Sequence, residues 1–237
     1  MRKTILLLVS LLTLVCPLTA QTGKYFANAE GAVITPLGSL GDRFKNTASG
    51  SISFGYKTSE NWIWFGKLEY FKFDKINEDK MYIDRKVLVS GSNVIYRAPL
   101  TGIKMDLTVA GLSANAKYNL VRTKLFETNV DLGFGIYRWL NHRSGLDSVT
   151  IDTSYTSGVH KYHNLLKDVP PSHQQDWSGG FNLGAELVFH IIDPISITIA
   201  GNYKNIIGEL WPALALDIEN TSSFQMVEYK AGIRIKF

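Results

Sequence analysis

The strongest constraint in this sequence is an alternation of apolar and polar residues with the two-residue period of a β-strand, repeated in eight separate segments. The segments run over Lys24–Thr35, Gly50–Lys57, Asn61–Phe73, Met105–Val121, Lys124–Leu140, Ser178–Ile191, Ile195–Asn205 and Phe224–Phe237. Several exceed the about 5–6 residues usual in soluble sheets and match the roughly 9–11 that a tilted strand needs to cross a bilayer. The connections alternate in length. Those at Thr58–Asn61, Val121–Thr123 and Ile192–Pro194 are tight, whereas 36–49, 74–104, 141–177 and 208–223 are long. A soluble sandwich has no reason for this rhythm. A membrane barrel does, with short turns on the periplasmic side and longer loops outside, and an even strand number returns both termini to the periplasm.

The two faces of each strand sharpen the expectation. In the fourth segment Ala110, Leu112, Ala114, Ala116, Tyr118 and Leu120 oppose Gly111, Ser113, Asn115, Lys117 and Asn119. In the fifth, Val130, Leu132, Phe134 and Ile136 oppose Asn129, Asp131, Gly133 and Gly135. Eight strands enclose a space that side chains alone can fill, and the polar set supplies small residues and opposite charges suited to it. Lys57, Lys67, Lys117, Lys204, Lys230, Arg234 and Lys236 face Glu30, Glu69, Glu127, Asp131, Glu186 and Glu228, seven basic residues against six acidic ones. Enclosed charges persist only when paired and hydrogen-bonded. The lumen is therefore expected to be filled by salt bridges, with Asn28, Asn115, Asn129, Asn182 and Asn202 among them, and not to form an open channel. Trp62, Trp64, Tyr70, Tyr118, Tyr137, Trp139 and Tyr203 lie near strand ends, where interfacial aromatic girdles sit.

The first twenty residues fit an export signal. Arg2 and Lys3 precede about a dozen apolar positions, too few for a spanning helix, and Ala20 ends the stretch. The expected domains are a signal peptide over 1–20 and a barrel over 21–237. The lone cysteine, Cys16, follows Val15 and not the small residue that lipidation favours. Removing Arg2 and Lys3 from 25 basic residues leaves 23 against 21 acidic ones, a balance that gives no reason to expect a nucleic-acid partner.

The C-terminal Glu228–Phe237 resembles the insertion signal of outer-membrane barrels: Phe237 ends the chain, with Ile235, Ile233 and Tyr229 on the same face. Together with the signal and the loop rhythm, it makes the chain similar to the small OmpA/OmpX-type barrels. That resemblance implies an all-β, eight-stranded antiparallel up-and-down transmembrane barrel in the outer membrane of a Gram-negative bacterium, with the barrel-assembly machinery as a transient partner.

Function is expected in the long loops. The 74–104 loop carries two short alternating runs around Gly91 that predict a hairpin with edges open to β-augmentation. Lys72, Lys75, Lys80, Arg85 and Lys86 lie close by, suited to the phosphates of lipopolysaccharide. His160 and His163 have a two-ligand metal spacing but no regular element to fix further ligands. His142 and Ser144 resemble the His-x-Ser pair of outer-membrane lipid A deacylases, which implies a serine nucleophile, its base, and Asp147 or Asp152 to orient the base. The chain departs from that pattern at Gly145 and Leu146, where the family has Asn-Ala, and lacks the downstream glutamate. The leading expectation is accordingly a structural or surface-binding, adhesive role without a cofactor. A lipid A deacylase-like hydrolase and a narrow pore for small solutes are the alternatives.

Overall fold

The structure is a computed structural model that describes residues 24–89, 92–99, 102–152, 162–210 and 221–237. The expected signal peptide, with Cys16, lies outside the described residues. The elements are β1 (Tyr25–Pro36), α1 (Gly38–Arg43), β2 (Thr47–Lys57), β3 (Trp62–Phe73), β4 (Tyr82–Val89), β5 (Ser92–Pro99), β6 (Ile103–Arg122), β7 (Phe126–Asp152), β8 (Tyr162–Ile192), β9 (Ile195–Ile206) and β10 (Phe224–Lys236). Eight strands close into one antiparallel barrel in the order β1–β10–β9–β8–β7–β6–β3–β2, and β4 with β5 forms a separate two-stranded sheet. The predicted hairpin around Gly91 is thus a strand pair.

Tight turns set the register. Thr58 and Ser59 donate their backbone N–H groups to the Trp62 carbonyl at 2.9 and 3.3 Å, and Thr123 donates to the Phe126 carbonyl at 2.9 Å. The barrel closes where β1 meets β10, with Phe26 opposite Lys236 and Tyr25 exchanging both backbone hydrogen bonds with Phe237. The first and last strands therefore begin and end at the same end of the barrel.

The outer wall is apolar and bare. Leu112, Phe134 and Leu183 are 59, 65 and 56% exposed, and Ile52, Leu68, Ile136, Ile199, Tyr229, Ile233, Ile235 and Phe237 project from the same surface. In water so large a patch drives aggregation. Against lipid tails it is the required surface, and strand closure leaves no backbone edge unpaired within it. Among the described residues no helix is long and apolar enough to cross a membrane, and the apolar belt lies on the barrel strands. A charge at mid-wall is therefore costly: Leu132→Arg is expected to destabilise the folded barrel by about 2–4 kcal/mol, read from the urea midpoint in liposomes.

Three features differ from the sequence expectation. Tyr137 and Trp139 are not girdle residues; both are buried inside the lumen, because odd-numbered positions of β7 face inward. Trp62, Trp64, Tyr70 and Tyr118 do face outward, with Trp62 packed edge-on against Tyr118 at 5.1 Å. The stretch 141–177 is largely strand, not loop: β7 and β8 run to 27 and 31 residues against 12 for β1. The sequence there contains Pro170 and Pro171, which a regular ladder excludes. A β-bulge accepts them, since Arg143 pairs with Ser172 and Gly145 with Val169, leaving two prolines opposite Ser144. Finally, α1 occupies the connection between β1 and β2. It has no side-chain cap at Leu37 and is held by burying Leu40 completely.

Candidate functional site

The lumen is built in layers. Nearest the termini, one oxygen of Glu127 gathers Arg122 Nε at 3.2 Å, His190 Nε2 at 3.2 Å and Lys236 Nζ at 3.4 Å. In the next layer Glu186 Oε1 takes both Lys117 Nζ and Arg234 Nη2 at 2.6 Å, while Asn129 donates to Glu186 Oε2 at 3.0 Å. Phe65 and Phe26 cover these cations, with Lys117 4.6 Å and Arg234 4.7 Å from the ring centres. In the third layer Lys204, fully buried, bridges Glu69 at 2.6 Å and Glu228 at 2.5 Å. Lys67 adds to Glu69 at 3.0 Å, and Lys230 to Glu228 at 3.2 Å. All thirteen charged residues expected in the lumen lie on the inward side of their strands. Glu30 and Asp131 are held by neutral donors: Asn28 and Ser51 hydrogen-bond Glu30 at 2.7 and 3.2 Å, and Asn202 hydrogen-bonds Asp131 at 3.1 Å.

Small residues on the inner face make this filling fit. A Cβ on Gly111 would lie 2.4 Å from the Tyr137 ring, and one on Gly133 would lie 1.8 Å from Asn115 Oδ1. The interior is closed by packing as much as by charge.

The far end of the lumen departs from an all-polar filling. Ile34, Leu40, Phe44, Phe71, Phe73, Met105, Leu107, Tyr137, Trp139, Phe224 and Met226 form one buried apolar cluster there. The helix α1 contributes Leu40 to it, and the Trp139 indole donates to Ser178 Oγ at 2.9 Å. Arg43 of α1 is buried beside this plug. Desolvation, reinforced by the positive charge of Arg143, lowers its guanidinium to about 10. Sequence reading missed the plug because its members, with Ile206 of β9 among them, are spread over seven elements and carry no common local pattern.

On the outward face, above the apolar wall, polar side chains run in a row across four strands. Lys72 of β3 pairs with Asp106 Oδ2 of β6 at 3.4 Å. Asp106 Oδ1 lies 3.3 Å from His142 Nδ1 of β7, and His142 Nε2 lies 2.7 Å from His173 Nδ1 of β8. Beneath this row Arg138 reaches Gln175 at 3.5 Å and lies over the Trp177 ring. A groove alongside is lined by Lys45, Lys75, Lys104, Asp106, His142 and Ser144.

This geometry redraws the predicted His142–Ser144 pair. Both residues share the outward face, but the two ring nitrogens of His142 engage Asp106 and His173, and neither is hydrogen-bonded to Ser144. The carboxylate that meets His142 is Asp106, which the sequence did not single out. Asp147 sits five residues further along β7, its backbone opposite Lys167. For the other predicted pair, His163 lies in β8 opposite Ile151, and His160 lies outside the described residues. Among the described residues no group of three or more His, Cys, Asp or Glu side chains converges as a metal site.

A closed eight-stranded barrel with a bare apolar outer wall and a charged interior is the architecture of the small transmembrane β-barrels, and this chain has that fold. In overall structure it is similar to neisserial surface protein A, NspA, at 15% sequence identity with a TM-score of 0.48, covering 90% of this chain and 97% of that one. It is also similar to Ail, the attachment invasion locus protein of Yersinia pestis, at 12% identity and a TM-score of 0.46, covering 91% and 99%. OprG of Pseudomonas aeruginosa gives 13% identity and a TM-score of 0.46, covering 91% and 96%. No protein-family profile matches the sequence, and no curated protein matches it.

Proposed function

We propose that the protein is a non-conducting outer-membrane scaffold, both termini in the periplasm, that holds a long β-ribbon away from the cell as a surface-binding element. The observation that carries this reading is the unequal length of the strands. β6 pairs with β7 only as far as Gly145, and β9 pairs with β8 only from Gly180 onward. Beyond Gly145, β7 and β8 pair only with each other among the described residues, up to Asp152 opposite Tyr162. At about 3.3 Å per residue the ribbon extends roughly 23 Å past the last barrel contact. Its two outer edges offer backbone groups for strand addition by a partner, and Pro170 and Pro171 limit self-pairing at the base of one of them.

The filled lumen supports the non-conducting part of the reading over the pore. The engagement of both His142 nitrogens supports binding over hydrolysis. Lipopolysaccharide is the lipid this rim would meet, through Lys72, Lys75 and Lys104 among others. Lys45 and Lys80 already sit in exposed ion pairs with Asp79 and Asp42, which compete weakly for phosphate.

Two measurements test the proposal. Folded protein in planar bilayers is expected to give no steady conductance. Replacing 146–168 by a two-residue turn between the partners Gly145 and Val169 should leave heat-modifiable gel mobility intact. The same deletion should abolish adhesion to epithelial monolayers by an otherwise non-adherent host strain carrying the protein. Unchanged adhesion after the deletion, or an open channel in the intact protein, would overturn it.

A further inference from the structure

We propose that His142 and His173 form a binding site for a divalent transition-metal ion of the copper or zinc class. The two residues are direct cross-strand partners on β7 and β8. Their rings stand 4.4 Å apart at an interplanar angle of 53°, with His142 Nε2 and His173 Nδ1 separated by 2.7 Å. Two imidazole nitrogens that face each other across a paired ladder need only a small ring rotation to take one ion between them.

The third member of the array decides the protonation. Asp106 accepts from the Nδ1–H of His142 at 3.3 Å, which leaves the Nε2 lone pair directed at His173. A carboxylate on the remote ring nitrogen is the arrangement that fixes a metal-binding histidine in the right tautomer and ring orientation. Without an ion, His173 donates its Nδ1–H into that lone pair. With one, His173 carries its proton on Nε2 instead, and the two nitrogens part until each is about 2.0–2.1 Å from the metal. His142 is 52% exposed, so the rings have room for that small rotation. No proton is released overall.

Lys72 steadies Asp106 from its other oxygen at 3.4 Å. Its charge opposes an incoming cation, so the ion that binds most tightly to nitrogen ligands is favoured, and copper(II) heads the divalent series. The protein supplies two ligands. The remaining positions open toward the groove where Lys45, Lys75 and Lys104 lie, and water or an anionic oxygen completes the shell there. This site is separate from the His160–His163 spacing and does not depend on the ribbon binding a partner.

The test uses untagged, folded protein in detergent micelles, titrated with copper(II) sulfate and followed by calorimetry and electron paramagnetic resonance. One equivalent is expected, with superhyperfine structure from two nitrogens. His142→Ala and His173→Ala should each remove the two-nitrogen signature and weaken binding at least about tenfold, and Asp106→Asn should weaken it roughly tenfold by acting through His142. The His160→Ala/His163→Ala double variant should bind as the parent does. His142, His173 and Asp106 lie on the outward face of the barrel, and heat-modifiable mobility confirms folding of each variant. A two-nitrogen signal that survives in His142→Ala/His173→Ala, or a parent protein that binds no copper, would overturn the proposal.

Discussion

Replacing Glu186 by alanine is expected to destabilise the folded barrel by about 3–5 kcal/mol, measured as a shift of the urea unfolding transition in liposomes. The size of the effect follows from what the substitution leaves behind. Lys117 and Arg234 both direct their charges at Glu186 Oε1 from 2.6 Å, and both are almost completely buried. Removing the carboxylate leaves two cations in a water-poor interior, with the Phe65 and Phe26 rings as weak substitutes. Asn129 also loses its acceptor at 3.0 Å. The cost lies in the unpaired charges, not in the lost attraction, and a second variant separates the two. Glu186→Leu/Lys117→Met/Arg234→Met removes the whole group and should recover most of the loss, since well-packed apolar replacements of ion networks are often neutral. If Glu186→Ala unfolds within about 1 kcal/mol of the parent, the two cations are hydrated in the lumen and the reading of a closed interior fails.

The network was legible because a barrel writes each strand locally. Residues such as Leu112 and Ser113 declare their faces by alternation alone, and turns such as Thr58–Asn61 mark where the chain reverses. Inward-facing charges could therefore be collected without knowing which strands touch. Their partners could not. That Lys117 meets Glu186, 69 positions away, depends on barrel closure and register. The same limit hid the His142–His173 contact. It needs β7 and β8 to pair beyond the predicted strands, and its neighbourhood includes a bulge that absorbs Pro170 and Pro171. Proline pairs argue for a loop wherever a regular ladder is assumed. The helix α1 left no trace either, because tertiary burial of Leu40 and not an N-terminal cap stabilises it.

Trp139→Ala tests the part of the interior that the girdle reading misassigned. The indole is 1% exposed, packs edge-on against Phe224 at 5.4 Å, and donates to Ser178 Oγ at 2.9 Å. It is also tightly enclosed, since a Cβ on Gly208 would come within 3.1 Å of its Nε1. A girdle tryptophan in contact with lipid would leave no void when truncated, because acyl chains move in. Inside the plug nothing can replace it. The expected loss is about 3–5 kcal/mol, the range for emptying a packed aromatic site, read from the same urea transition. A loss below about 1 kcal/mol would mean that the ring is not enclosed. The variant is also expected to remain electrically silent in planar bilayers. The cavity it opens lies above the Lys204 and Glu186 layers, which still fill the barrel beneath it. Closure by charge and closure by apolar packing are thus independent barriers in series. Conductance should appear only when Trp139→Ala is combined with removal of those charged layers.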